Sequence, residues 1–173
     1  MRGNTTGFVK PLLLIFVAVV AVLAVAFGAA SIMGGDKELG DAIDFTAVDA
    51  AGQNFTLSKN YEGGVALIFF DRSQGDGVAH LTNMASAKQN KSVKTVLVAI
   101  GESDGKDILA YLKEKQLTAD VVITDQKGEI AALYNVSTCP VTYFIDGHGV
   151  VRGVSLSNLT PTAAEKYYGY IEN

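Results

Sequence analysis

The sequence predicts a layered α/β domain carried behind one apolar helix. Two features predict it: a charge-free apolar run near the amino terminus, and an alternation of short apolar runs with longer helical patterns after Asp41. The 173 residues are enough for one domain and a further segment but short for two domains. With 49% hydrophobic residues, 18% charged residues and a mean hydropathy of +0.24, the chain is too apolar to be disordered. Lys and Arg number 14 against 18 Asp and Glu, a net charge of −4, so there is no basic field to hold a phosphate backbone and no nucleic-acid partner is expected. One cysteine, Cys139, excludes an internal disulfide and a multi-thiolate zinc cage.

The excess apolarity lies in Leu12 to Met33, which holds no charge. At ~1.5 Å per residue this run spans about 33 Å, enough for a hydrocarbon core of roughly 30 Å. Arg2 and Lys10 precede it, and Asp36, Lys37 and Glu38 follow it. The positive-inside rule therefore places residues 1–11 in the cytoplasm, 12–33 across the cell membrane, a tether at 34–40 and a domain at 41–173 outside. A cleaved signal peptide is the rival reading, with cleavage candidates after Ala26 and Ala30, but the run exceeds the 7–15 residues of a usual signal core. Either way the domain is extracytoplasmic. Sequons at Asn4, Asn54, Asn90, Asn135 and Asn158 have meaning only in a eukaryotic secretory route and carry no weight here.

Within the domain, Ile43 to Val48 alternates with period two, Asp49 to Gln53 turns the chain, and Asn54 to Leu57 returns, predicting a hairpin. Val65 to Phe70 is continuously apolar, as expected of a central strand covered on both faces. The polar stretch Asp71 to Gly77 leads into helical composition over 78–89, then a strand at 93–100. Ser103 and Asp104 can cap a helix from Gly105 to Lys115. A short strand at 121–123, a turn, and a helical turn or two at 129–134 follow. Val141 to Asp146 and Val150 to Val154 form a second hairpin, and Thr160-Pro161 opens a last helix to about Tyr170, with Tyr167, Tyr168 and Tyr170 on its packing face.

Four phrases occur in a telling order: Phe45 to Gln53, Leu57 to Phe70, Val122 to Val136, and Cys139-Pro140-Val141-Thr142-Tyr143-Phe144-Ile145-Asp146-Gly147-His148-Gly149-Val150-Val151. Together, over about Asp41 to Val154, they resemble the membrane-anchored thioredoxin-like proteins of bacteria, the TlpA/ResA type within the redoxin and AhpC/TSA-like superfamily. The resemblance implies a thioredoxin-like fold, a central mixed sheet flanked by helices behind an N-terminal transmembrane helix, with Pro140 in the cis form. It also implies thiol-disulfide chemistry by a Cys-x-x-Cys at the start of the helix after the central strand, where the helix dipole lowers a thiol's pKa. The matching positions here are Gln74, Gly75, Asp76 and Gly77, so the dithiol is absent.

Cys139 remains, placed by the resemblance beside Gln74 to Gly77 at the substrate groove. Two readings stand. In one, the domain is a non-catalytic binding or scaffolding module in which Gln74, Gly75, Asp76, Gly77, Thr138 and Pro140 line a groove for an extracytoplasmic protein or peptide. In the other, Cys139 is the catalytic residue of a monothiol redox protein, which requires a depressed pKa and nearby N–H donors, with Asp76 opposing them. Asp71 to Gly77 has acidic residues in a loop, but position twelve of a calcium loop is Thr82 rather than Glu. His80, one turn into a helix, and His148, in a hairpin turn, are a poor metal set with Cys139, and neither metal nor cofactor is expected.

Overall fold

A computed structural model describes residues 38–172. The cytoplasmic segment 1–11, the anchor 12–33 and most of the tether lie outside the described residues. Among those described, no helix is long and apolar enough to cross a membrane.

Among the described residues, seven strands and four helices follow in the order β1 (Thr46–Val48), β2 (Asn54–Thr56), β3 (Val65–Phe70), α1 (Gly77–Ala87), β4 (Lys94–Ile100), α2 (Gly105–Glu114), β5 (Val121–Asp125), α3 (Glu129–Leu133), β6 (Val141–Ile145), β7 (Val151–Ser155) and α4 (Pro161–Ile171). A 3-10 turn, Leu57–Asn60, links β2 to β3. The main sheet is ordered β5-β4-β3-β6-β7, with β3, β4 and β5 parallel and β6 and β7 antiparallel to their neighbours.

All six residues of β3 are buried, and the pleat divides them between two cores. Ala66, Ile68 and Phe70 face Leu81, Met84, Ile108, Leu112 and Tyr168 from α1, α2 and α4. Val65, Leu67 and Phe69 face Phe45, Phe55, Tyr134 and Ile145 on the opposite side. Helices α1 and α2 both belong to crossovers running from β3 toward β5, and right-handed crossovers in one direction place both on one face. Tyr167 stacks on Phe144 at 4.4 Å and Tyr168 is fully buried, so the tyrosines of α4 are packing residues. Thr160 accepts a hydrogen bond from the Ala163 N–H and caps α4 ahead of Pro161.

The first hairpin is shorter than its alternation predicts. Asp44 turns away from it to accept hydrogen bonds from the Ser58 N–H (2.8 Å) and hydroxyl (2.6 Å), which pins the 3-10 turn. Leu57 consequently opens that turn and is not a strand residue. The end of the expected tether is also engaged: the Leu39 N–H donates to the Val151 carbonyl and the Val151 N–H to the Gly40 carbonyl.

Candidate functional site

The register of two strands assembles the site. Antiparallel pairing of β3 with β6 sets Phe69 opposite Val141, so the chain leaving β3 through Phe70 and Asp71 runs beside the chain entering β6 through Cys139 and Pro140. The Cys139–Pro140 peptide bond is cis. Pro140 is buried, Thr138 is exposed and Cys139 is half-buried against the core that holds Phe69.

Gln74 joins the two segments. Its Oε1 accepts a 2.7 Å hydrogen bond from the Cys139 backbone N–H, while its Nε2 donates to Asp71 Oδ2 at 2.9 Å. Asp71 Oδ1 in turn accepts from the N–H and hydroxyl of Ser73, an Asx turn that shapes the loop after β3. Arg72 braces the same loop from outside: its Nε lies 2.6 Å from Glu102, its Nη2 lies 2.9 Å from Asp107, and its guanidinium sits over the Tyr111 ring.

This setting disfavours a thiolate. Burial, and then the negative charge of Asp71, push the Cys139 thiol up to about 11. Burial also works to raise the Asp71 carboxyl, but the bonds from Ser73 and Gln74 hold it below the ordinary carboxylate range, so the opposing charge stays in place at neutral pH. The carboxylate that acts on Cys139 is therefore Asp71, where the sequence pointed to Asp76. Asp76 occupies the N-cap position of α1 without a side-chain cap bond.

Gly75 and Asp76 are exposed on the loop, and Gly77 is buried at the first turn of α1. A Cβ at Gly77 would stand 2.5 Å from Phe70 Cε2, so the helix starts flush against that ring and only glycine fits. His80 points away from this surface. It is fully buried, its Nδ1 accepts from the Leu159 N–H at 3.2 Å, and its Nε2 is therefore the protonated nitrogen that donates to Thr142 Oγ1 at 2.8 Å. His148 lies exposed in the turn before β7, and among the described residues no three His, Cys, Asp or Glu side chains converge as a metal would need. The sequence reading missed Asp71 and Arg72; the Asp-x-Ser spacing of Asp71 and Ser73 was the available signal for the Asx turn.

A model of the AhpC/TSA family matches residues 39–154, two thirds of the chain. This chain belongs to the AhpC/TSA family. Solved structures with a similar fold include a thiol:disulfide interchange protein of the thioredoxin family from Chlorobium tepidum TLS, at 16% identity and a TM-score of 0.66, covering 80% of this chain and 100% of that one. Another is a putative thiol:disulfide interchange protein DsbE from Chlorobium tepidum, at 24% identity and TM-score 0.63, covering 78% and 95%. A third is a secreted Mycobacterium tuberculosis disulfide oxidoreductase homologous to E. coli DsbE, at 20% identity and TM-score 0.62, covering 72% and 94%. Among curated proteins, none matches this sequence significantly. At these identities the likeness establishes the thioredoxin-like fold. Within the AhpC/TSA family this member has a single cysteine, and the loop after its central strand holds none.

Proposed function

We propose that this AhpC/TSA-family domain is a membrane-anchored, extracytoplasmic docking module that holds a protein or peptide beside Thr138, Cys139 and Pro140 without thiol catalysis. The observation that carries this reading is the state of Cys139. With its thiol pushed up to about 11 by burial and then by the charge of Asp71, Cys139 stays protonated at pH 7. A thiol-disulfide cycle also needs a second thiol to resolve the mixed disulfide, and the chain has none. Backbone groups remain for recognition. The exposed Ser137–Thr138 segment offers main-chain donors and acceptors. An extracytoplasmic setting is supported by the run Leu12 to Met33 and by fold relatives described as secreted or as an exposed lipoprotein.

The test uses the full chain in detergent. Retention of a pool of capped, cysteine-free, randomised nonapeptides is expected, and it should persist in Cys139→Ser. Turnover of a disulfide substrate with a thiol reductant should be at background. Turnover that Cys139→Ser abolishes would replace docking with the monothiol reading, which the partial exposure of Cys139 favours.

A further inference from the structure

Among the described residues, Gln74 bridges the two segments of the site, and it does so through a peptide-like group. Its carboxamide has the same carbonyl acceptor and N–H donor as a main-chain amide. The carbonyl end accepts from the Cys139 N–H at 2.7 Å, and the N–H end is held by Asp71, itself fixed by Ser73. The neighbouring Thr138 N–H and the carbonyls of Thr138 and Cys139 have no hydrogen-bond partner among the described residues. Of the main-chain groups that a docked peptide would pair with here, the Cys139 N–H is thus already occupied from within.

We infer that Gln74 is an internal ligand of the docking site: its carboxamide occupies the Cys139 N–H, and an incoming peptide carbonyl must displace it. The inference rests on the docking reading above and adds a closed state to it. Displacement is feasible because the contact is one hydrogen bond from a side chain on a half-exposed loop residue, whereas Asp71, Ser73 and the Arg72 brace keep the loop itself in place. Asp71 sets the orientation. By accepting from Nε2 it directs Oε1 toward Cys139, so Gln74 presents its acceptor and not its donor. When a peptide carbonyl takes over the Cys139 N–H, Gln74 swings out and keeps only its bond to Asp71 or to water. Peptide affinity is then lower than the open site would give, by the fraction of molecules in which Gln74 is out.

The experiment compares the wild-type full chain, Gln74→Ala and Gln74→Glu, using two readouts. The first is hydrogen exchange of the Cys139 amide without peptide, and the second is retention of the randomised nonapeptide pool. Gln74→Ala is expected to accelerate Cys139 exchange and to tighten peptide binding by about 2- to 10-fold, the range one net side-chain hydrogen bond spans. Gln74→Glu keeps an acceptor for the Cys139 N–H but loses the donor to Asp71 and sets two carboxylates side by side, so its Cys139 exchange should lie between that of the wild type and that of Gln74→Ala. Equal peptide affinity in wild type and Gln74→Ala, with Cys139 exchange accelerated, would overturn the internal-ligand inference and leave docking intact. Weaker binding by Gln74→Ala would make Gln74 a peptide contact and overturn it as well. Absence of binding by all three proteins would overturn the docking reading and with it this inference.

Discussion

At Cys139 a single backbone and a single thiol meet opposite treatment. The N–H is bound by Gln74, while the sulfur faces a carboxylate that penalises its ionisation. Iodoacetamide should therefore alkylate Cys139 slowly at pH 7 in the native chain and rapidly after denaturation, with the native rate rising toward a midpoint near 11. Asp71→Asn removes the charge and keeps an acceptor for Ser73, so the midpoint should fall and the rate at pH 8 should rise by about 3- to 10-fold. A wild-type midpoint at or below the ~8.5 of a free thiol would sink the inert-thiol view. Gly77 gives a second residue-scale expectation. Gly77→Ala drives a methyl into the Phe70 ring, itself buried and packed near Tyr111, so urea denaturation should show a loss of about 1–3 kcal/mol. Combining it with Phe70→Leu should cost less than the two single changes added together, because the clash is shared.

Elements are tied together by buried polar contacts, of which His80 is the most consequential. It links α1 to β6 through Thr142 and to the segment before α4 through Leu159. Burial lowers its pKa to about 4, against about 6.5 for an exposed imidazole. Between those values the unfolded chain binds a proton that the folded chain refuses, so stability is full above pH 6.5 and falls as the pH drops toward 4. The loss is roughly 3 kcal/mol. The depressed carboxyls of Asp44, Asp71, Asp120, Asp146 and Glu172 begin to lose their contribution only near the ordinary carboxylate values, at the lower end of this window, so its upper part belongs to His80. Denaturation midpoints measured from pH 7 to 4 should decline in the wild type and stay nearly level in His80→Gln. An equal decline in both would remove His80 from the account.

The same scale shows what could be read from sequence. Strand β3 was legible as six consecutive apolar residues, and α4 as a Thr-Pro cap ahead of an apolar face, because local composition alone specifies both. The shortened first hairpin was not, since it depends on Asp44 reaching Ser58 across 14 residues. The neighbourhood of Gln74 and Cys139 followed from the family resemblance, but the bond between them spans 65 residues and is fixed by the β3–β6 register. No periodicity encodes that register, so neither the occupation of the Cys139 N–H nor the pressure from Asp71 on the thiol could be read from the string.

Across the domain, both edges of the main sheet are partly covered by chain that precedes β3. Ala50 donates to the Val122 carbonyl on the β5 side, and Leu39 and Gly40 pair with Val151 on the β7 side. Blunted edges limit strand pairing between copies, which would matter most if the domain is held at a membrane as proposed. This bears on the expected anchor. Leu12 to Met33 is uncharged, and the residues beyond it hold more acidic than basic side chains, so adsorption to an anionic membrane surface through the domain is disfavoured. Membrane association, where it occurs, should come from hydrophobic insertion. Insertion ignores ionic screening, whereas surface attraction fades once the Debye length shrinks to about 3 Å at about 1 M salt. The full chain is therefore expected to stay in the membrane pellet through a wash at about 1 M salt and to leave it only in detergent. Amino-terminal sequencing of the mature protein supplies the opposing outcome, because a chain beginning at Phe27 or Ser31 would have lost the hydrophobic span to cleavage and would be released as a soluble domain.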